Sequence, residues 1–229
     1  MEATFKPVAD CALLVCFDTV ITDKASAVVL AFDQAVQQAQ IKGVRETVPA
    51  FVNVLVHFDP LQTDHNELED TLHSLLKNMQ KAKSHVGQKN VHVCYEAGFT
   101  PDLADVAKAC GLTQEAVINA HVAGEYHVAM YGFAPGYAYM AGVPEAIQVP
   151  RKPSPVRGVP AGSVIIASAQ CLVSTIVMPT GWSIIGRSPT PILLDDPDQP
   201  FLFDVGDKVS FERIDLATYE RMNKKAAHG

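Results

Sequence analysis

Long apolar runs are absent from this 229-residue chain: none approaches the ~20 residues that a helix needs to span a bilayer. Positive charge is scarce as well. Lys and Arg number 18 against 25 Asp and Glu, a formal charge of −7, which disfavours non-specific binding to DNA, RNA or anionic membrane. Cysteine is sparse and unpaired. Cys11, Cys16, Cys94, Cys110 and Cys171 form no C-x-x-C, an odd set expected as reduced thiols in a cytoplasmic protein. The opening M-E-A-T-F-K-P-V-A-D lacks the basic-then-apolar order of a secretory leader. Fourteen glycines give neither G-x-x-x-x-G-K-S/T nor G-x-G-x-x-G, so any ATP involved is not held here by a P-loop. What is present is globular: 48% hydrophobic and 19% charged residues, with core enough for one large domain or two small ones.

The first half reads as alternating strands and helices. C-A-L-L-V-C-F (11–17) suits a buried strand, and Val28, Val29, Phe32, Ala35, Val36 and Ala39 recur at helical spacing, with Gly43 expected to end that helix. V-R-E-T-V-P-A and F-V-N-V-L-V-H-F are expected to pair across a turn near Pro49, and Asp59-Pro60 stops the second run. Leu68, Leu72, Leu75, Leu76 and Met79 mark a second amphipathic helix, and V-H-V-C-Y (91–95) reads as a fourth strand. That order, β-α-β-β-α-β, is the ferredoxin-like arrangement and places an N-terminal α+β domain at residues 1–95. His57, His65 and His73 within it follow no metal-ligand spacing, and no metal site is expected.

Residues 96–124 read as a helical connector, with Gly111 between two helices and Thr113 as an N-cap. After Gly124 short β runs alternate with Gly/Pro turns, so residues 125–229 are expected as a compact β barrel or sandwich ending in a short helix.

Gly and Pro crowd the stretch from Tyr131 to Arg187, in Y-G-F-A-P-G-Y-A-Y-M-A-G-V-P-E, V-P-R-K-P-S-P-V-R-G-V-P-A-G-S-V and P-T-G-W-S-I-I-G-R-S-P. Such density fixes loops rather than filling helices. Ser163 lacks the G-x-S-x-G elbow of a nucleophile and reads as the residue opening a strand. Cys171 has no neighbouring base and reads as core, while His121 and His127 do not have zinc spacing. Arg151, Arg157 and Arg187 are each, taken singly, solvated loop residues. Held together on proline-stiffened loops, they could instead clamp a carboxylate or phosphate. Tyr137, Tyr139 and Trp182 either wall a pocket or pack as core, two readings left open here. The acidic cluster Asp195, Asp196 and Asp198 reads as a solvated turn.

These three blocks, with A-L-L-V-C-F, V-P-A-F-V-N-V-L-V-H-F-D-P and I-N-A-H-V-A-G-E-Y-H-V upstream, resemble one family across nearly the whole chain. It is the carboxyltransferase domain, subdomain C and D family, which includes the B component of 5-oxoprolinase, also labelled allophanate hydrolase subunit 1. The same family holds a sporulation-kinase inhibitor and one half of the carboxyltransferase domain of urea carboxylase. The matching positions are His121, Tyr126, Gly132, Phe133, Pro135, Gly136, Arg151, Arg157, Pro160, Gly162, Ser163, Trp182, Gly186 and Arg187. Two departures stand out: Thr180 replaces a glycine before Trp182, and Met140-Ala141 replaces a more usual Leu-Gly.

The resemblance implies a ferredoxin-like α/β sandwich followed by a cyclophilin-like β barrel, a fold that does not by itself imply prolyl isomerase activity. It implies a non-autonomous subunit of an ATP-dependent amide or lactam hydrolase, with 5-oxoproline opened to glutamate. The site would be shared with a homologous barrel subunit, of the 5-oxoprolinase C component or allophanate hydrolase subunit 2 type, with a third subunit taking part. Substrate binding is expected at Phe133, Pro135, Gly136, Tyr137, Arg151, Arg157, Trp182 and Arg187, the Gly-Phe-Ala-Pro-Gly loop supplying backbone donors to an oxyanion. No residue is assigned a catalytic role. Two alternatives stay open. One is a carboxyltransferase half-domain using carboxybiotin from a partner, since no Met-Lys-Met site occurs here. The other is a regulator that binds and inhibits a histidine kinase.

Overall fold

Every second residue of two short runs is sealed from solvent, and this alternation builds the first sheet. In a computed structural model that describes residues 3–79 and 87–226, the chain divides into two units between Val86 and Gly87. The first unit holds β1 (Thr4–Val8), β2 (Ala12–Cys16), α1 (Asp23–Ala39), β3 (Val44–Ala50), β4 (Asn53–Phe58) and α2 (His65–Asn78). The strands form one antiparallel sheet in the order β1-β2-β4-β3. Leu13 and Val15 of β2, with Val54, Val56 and Phe58 of β4, meet Val29, Phe32 and Val36 of α1 and Leu68 and Leu72 of α2. Both helices therefore cover one face, which is a ferredoxin-like α/β sandwich. Caps define the helix starts: Thr22 accepts from Ala25 N–H, and Asp64 accepts from Asn66 and Glu67 N–H.

Three local expectations change. The first helix ends at Gln40 in the left-handed region, not at Gly43; Gly43 (φ +86°) instead turns the chain into β3. The β3–β4 hairpin turns at Phe51 and Val52, between the paired Ala50 and Asn53, so Pro49 lies within the strand opposite Val54. A proline is tolerated there because β3 is an edge of the sheet, as is β1 with Pro7. The run 91–95 does not close the sandwich. It belongs to β5 (Gln88–Cys94), a strand of the second unit, and the sandwich takes its outer strand from β1. Thr4–Val8 is mostly exposed and carries little apolar signal, so nothing in its composition marked it.

The second unit continues with α3 (Leu103–Cys110), α4 (Gln114–Ala123), β6 (Tyr126–Tyr131), β7 (Ala138–Ala141), β8 (Val156–Val159) and β9 (Ser163–Ala167). It ends with β10 (Gln170–Val173), β11 (Met178–Thr180), β12 (Ser183–Arg187), β13 (Lys208–Ile214) and α5 (Leu216–Ala226); residues 227–229 of the expected terminal helix lie outside the described residues. Seven strands close a barrel in the order β10-β7-β6-β13-β5-β12-β9, and β8 pairs with β11 as a separate ribbon. The β5–β13 pairing is parallel, Gln88 to Cys94 against Lys208 to Ile214. Inside the barrel lie Val91, Val93, Val128, Met140, Val164, Ile166, Cys171, Ile185 and Phe211, joined by Leu103 and Val106 of α3 and Val117 and Ile118 of α4. Both helices of the stretch 96–124 thus supply side chains to the barrel core.

The wall is apolar on its other side too. Ile165 and Ala167 of β9, Leu172 of β10 and Ile184 of β12 alternate with the inward residues. They pack with Tyr137, Trp182, and Val159 and Met178 of the ribbon. This outer cluster sets the position of the site described below.

His121 of α4 is fully buried in the inner core, its ring 4.5 Å from that of Phe211. Its Nδ1 lies 2.7 Å from the Tyr95 hydroxyl and its Nε2 3.5 Å from Cys171 Sγ, which satisfies one donor and one acceptor of a neutral imidazole. Burial holds its pKa down at about 3 against an ordinary 6.5. Across that window the unfolded chain binds a proton that the folded barrel refuses, so stability falls as pH drops from 6.5 towards 3. His121→Leu removes the titrating group and leaves the Tyr95 hydroxyl unpaired. It is expected to be about 1–3 kcal/mol less stable at neutral pH, with the gap to the natural protein narrowing as pH falls. Urea unfolding across the window measures this, and a constant gap would contradict it.

Candidate functional site

The connection from β6 to β7 is short and bent by two left-handed residues, Phe133 (φ +73°) and Gly136 (φ +68°). Ala134 N–H donates to Gly132 O (2.9 Å), Tyr137 N–H to Ala134 O (3.0 Å) and Gly132 N–H to Tyr137 O (3.2 Å). Thr175 Oγ1 donates to Pro135 O at 2.8 Å and holds the loop from outside. The positive φ favours glycine at position 136, where a Cβ would also have to displace the tip of Leu193, 2.6 Å away. A phenylalanine in the left-handed region costs about 1–2 kcal/mol. That strain presents the Phe133 ring, 73% exposed, at the rim of an open depression of about 360 Å³ lined by Tyr131, Gly132 to Gly136, and Phe201. The Phe133 and Gly136 amides donate to no acceptor among the described residues.

From Phe133 a row of rings runs over the outer face of the wall. Phe133 to Tyr137 is 5.4 Å, Tyr137 to Tyr139 is 5.5 Å and Tyr139 to Trp182 is 5.9 Å between centroids. The Arg151 guanidinium lies over the far ring, 5.9 Å from the Trp182 centroid. Tyr137 and Trp182 are buried in the outer cluster, so the packing role of these two is realised, and the depression at Phe133 is lined by other residues. Burial, then Tyr139, pushes the Tyr137 phenol up to about 12 while Arg151 opposes the shift. The phenol is therefore a neutral donor at physiological pH.

Arg151 is placed by the residue that follows it. Lys152 N–H donates to Gly181 O (2.7 Å), and its ammonium pairs with Asp102 Oδ2 at 2.5 Å. The same carboxylate oxygen accepts from Ile184 N–H at 2.7 Å. Asp102, the N-cap of α3, thus pins the loop carrying Arg151 to β12 beside Trp182. Thr180, the β-branched departure, is buried, and its Oγ1 accepts from Trp182 N–H at 3.1 Å, fixing the turn into the tryptophan.

Sequence grouped three arginines; the structure separates them. Arg151 and Trp182 lie together. Arg157 is exposed on β8, in the ribbon whose Val159 and Met178 pack beside Trp182. Arg187 ends β12, five residues beyond Trp182, which is about 16 Å at a strand rise of ~3.3 Å. Its guanidinium rests on Phe99, 5.4 Å from the centroid. Ser163 opens β9 with Oγ donating to Pro160 O at 2.7 Å, and Cys171 is in the inner core. Asp102 and Lys152 were missed, as was Phe99. Lys152 stood in plain view inside P-R-K-P, but its partner lies fifty residues away, and no local pattern signals such a pair. Among the described residues no helix is long and apolar enough to cross a membrane.

Comparison with known proteins gives a consistent set of likenesses. The family described as carboxyltransferase domain, subdomain C and D, matches residues 3–203. The B component of 5-oxoprolinase from Bacillus subtilis (strain 168) is 32% identical over 231 residues, 95% of each chain. The crystal structure of TTHA0988 aligns with a TM-score of 0.79 at 29% identity, over 90% of this chain and 40% of that one, so this chain spans well under half of that protein. Urea amidolyase of K. lactis gives a TM-score of 0.79 at 16% identity, over 97% of this chain and 15% of that one, a likeness of fold alone.

Asp102→Ala removes the acceptor of both Lys152 and Ile184 and is expected to lower unfolding stability by about 1–3 kcal/mol. Asp102→Asn keeps a carbonyl for Ile184 N–H and should lose less. Thermal melts followed by the emission of Trp182 test this, and equal losses would show that the Ile184 bond contributes nothing.

Proposed function

This chain belongs to the carboxyltransferase domain, subdomain C and D family, and we propose that it is one subunit of an ATP-dependent lactam hydrolase acting on 5-oxoproline. The observation that carries the reading is its end-to-end similarity to the B component of the B. subtilis 5-oxoprolinase. The geometry supports the same chemistry. Arg151, exposed and held over Trp182, offers a planar two-pronged donor to the substrate carboxylate. Beside it the partly exposed Tyr139 ring, braced by the buried Trp182 and Tyr137, offers a surface for the small flat ring. Arg157 flanks this face from the ribbon and adds to its positive field.

No Gly-rich phosphate loop occurs, and the described residues hold no group of three or more His, Cys, Asp or Glu suited to a metal ion. On this reading ATP binds elsewhere in the complex, and this chain's part is to hold the lactam. A partner is also what the surface asks for. Phe133, Val177 (67% exposed) and Leu193 (42%) leave apolar area uncovered around the loop that Thr175 ties down. A homologous barrel protein covers that area and completes the site.

Co-expression with that partner and a third component, followed by ATP-dependent loss of 5-oxoproline, tests the reading. Turnover is expected only with all components. Arg151→Met should lower kcat/KM by about 10–100-fold, the size of one charge-assisted hydrogen bond, with complex assembly unchanged because Arg151 is exposed. Turnover by this chain alone would remove the shared site, and full activity in Arg151→Met would remove the carboxylate contact. A complex that assembles yet leaves 5-oxoproline untouched would refute the substrate.

A further inference from the structure

Arg187 is a half-buried arginine whose side chain has no hydrogen bond or ion pair to any described residue. The half-buried lysines of the second unit are matched: Lys152 with Asp102 and Lys89 with Asp207. Arg151 and Arg157 lack a carboxylate too, but they are exposed and water serves them. Arg187 differs. Its Nε is shut off from solvent with no acceptor among the described residues, and its guanidinium lies over Phe99, whose own ring is braced by Tyr219 at 4.6 Å.

The frame around it is rigid. Arg187 pairs with Ser163 on one side and Cys94 on the other, at the end of a barrel strand. Gly162 (φ +78°) lies against its stem, where a Cβ would come within 3.3 Å of Arg187 Cδ and would collide with the Ser188 carbonyl. The neighbouring polar groups already satisfy one another. Ser163 and Ser174 hydroxyls both donate to Pro160 O, and Ser188 N–H donates to Gly162 O at 2.7 Å. Only the guanidinium is left over, oriented by an aromatic face and a glycine rather than by a carboxylate. A protein that needed only a structural cation at this place would have an acid beside it.

We propose that Arg187, with Phe99 and Gly162, forms a second anion site on the barrel, taking the carboxylate or phosphate group of a small ligand at the opposite end of β12 from Trp182. The ligand oxygens take the outward terminal N–H groups of the guanidinium, while Phe99 keeps its plane fixed before binding. The site stands independently of the substrate reading above, because it shares no side chain with the Arg151 row.

The test is a titration of the full chain, ¹⁵N-labelled at arginine, with inorganic phosphate in one arm and acetate in the other, at ionic strength matched with sodium chloride. A saturable shift of the Arg187 Nε–H resonance is expected in at least one arm, and the arm that saturates at lower concentration assigns phosphate or carboxylate. Arg151→Met should keep the saturable shift. Arg187→Lys, which preserves charge but not the fork, should weaken binding at least tenfold when followed through the Phe99 and Gly162 amides. Linear shifts of similar size at Arg151, Arg157 and Arg187 would mean an adventitious ion only and would overturn the site. So would the absence of any shift, or a Lys variant that binds as tightly as the natural protein.

Discussion

Over β9, β10 and β12 the barrel wall is apolar on both faces, and much of the second unit follows from the need to cover the outer one. A closed sheet ordinarily buries one side and wets the other. Here Ile165, Ala167, Leu172 and Ile184 point away from the barrel interior and are nonetheless buried. Large aliphatic side chains of this kind stabilise by about 1.5–3 kcal/mol each when fully buried, so leaving them bare would cost much of a domain's net stability. The ribbon of β8 and β11 and the aromatics from Tyr137 to Trp182 supply the cover. The cover ends in loops, with an exposed arginine over Trp182 at one end and two unpaired amides beside Phe133 at the other.

Polar groups at this surface are arranged by how much water they keep. Lys152 and Asp102 are largely withdrawn from solvent and bonded to each other and to the backbone of β12. Arg151, one residue earlier, remains exposed and rests only on a ring. Neighbours in sequence thus divide the work. The lysine is consumed in fixing the loop, and the arginine stays free to meet something from outside. Charge that is already paired positions, and charge that is not recognises.

Much of the fold was legible because it rests on local periodicity. Val29, Phe32 and Val36 at helical spacing, or Leu13 and Val15 in alternation, report burial directly. Strand partnership is another matter. Val91 and Val93 mark a strand unmistakably, yet whether it closes the sandwich or the barrel is decided by Lys208 to Ile214, far along the chain. The outer strand Thr4–Val8 was invisible for the opposite reason, since an edge strand with Lys6 and Pro7 is built to look unlike a strand. Gly and Pro density located the loops between the barrel strands. It could not reveal that Trp182 and Arg187 flank opposite ends of one strand, because W-S-I-I-G-R reads as a single motif until its strand is extended. Asp102 left no trace at all, being an ordinary N-cap until Lys152 is brought to it.

The parallel pairing of β5 with β13 also orders events during synthesis. The sandwich has all of its strands once Phe58 has been made, and α2 follows directly. The barrel is different, because its first strand must wait for its last. Gln88–Cys94 emerges early with Val91 and Val93 unpaired on that edge, and its parallel neighbour is the last barrel strand to be made. Pairings of such long reach are slow to form and expose strand edges meanwhile. On the ribosome, then, the two halves of this protein keep different clocks: the first can fold as it appears, while the second remains an open sheet until Lys208 to Ile214 has emerged.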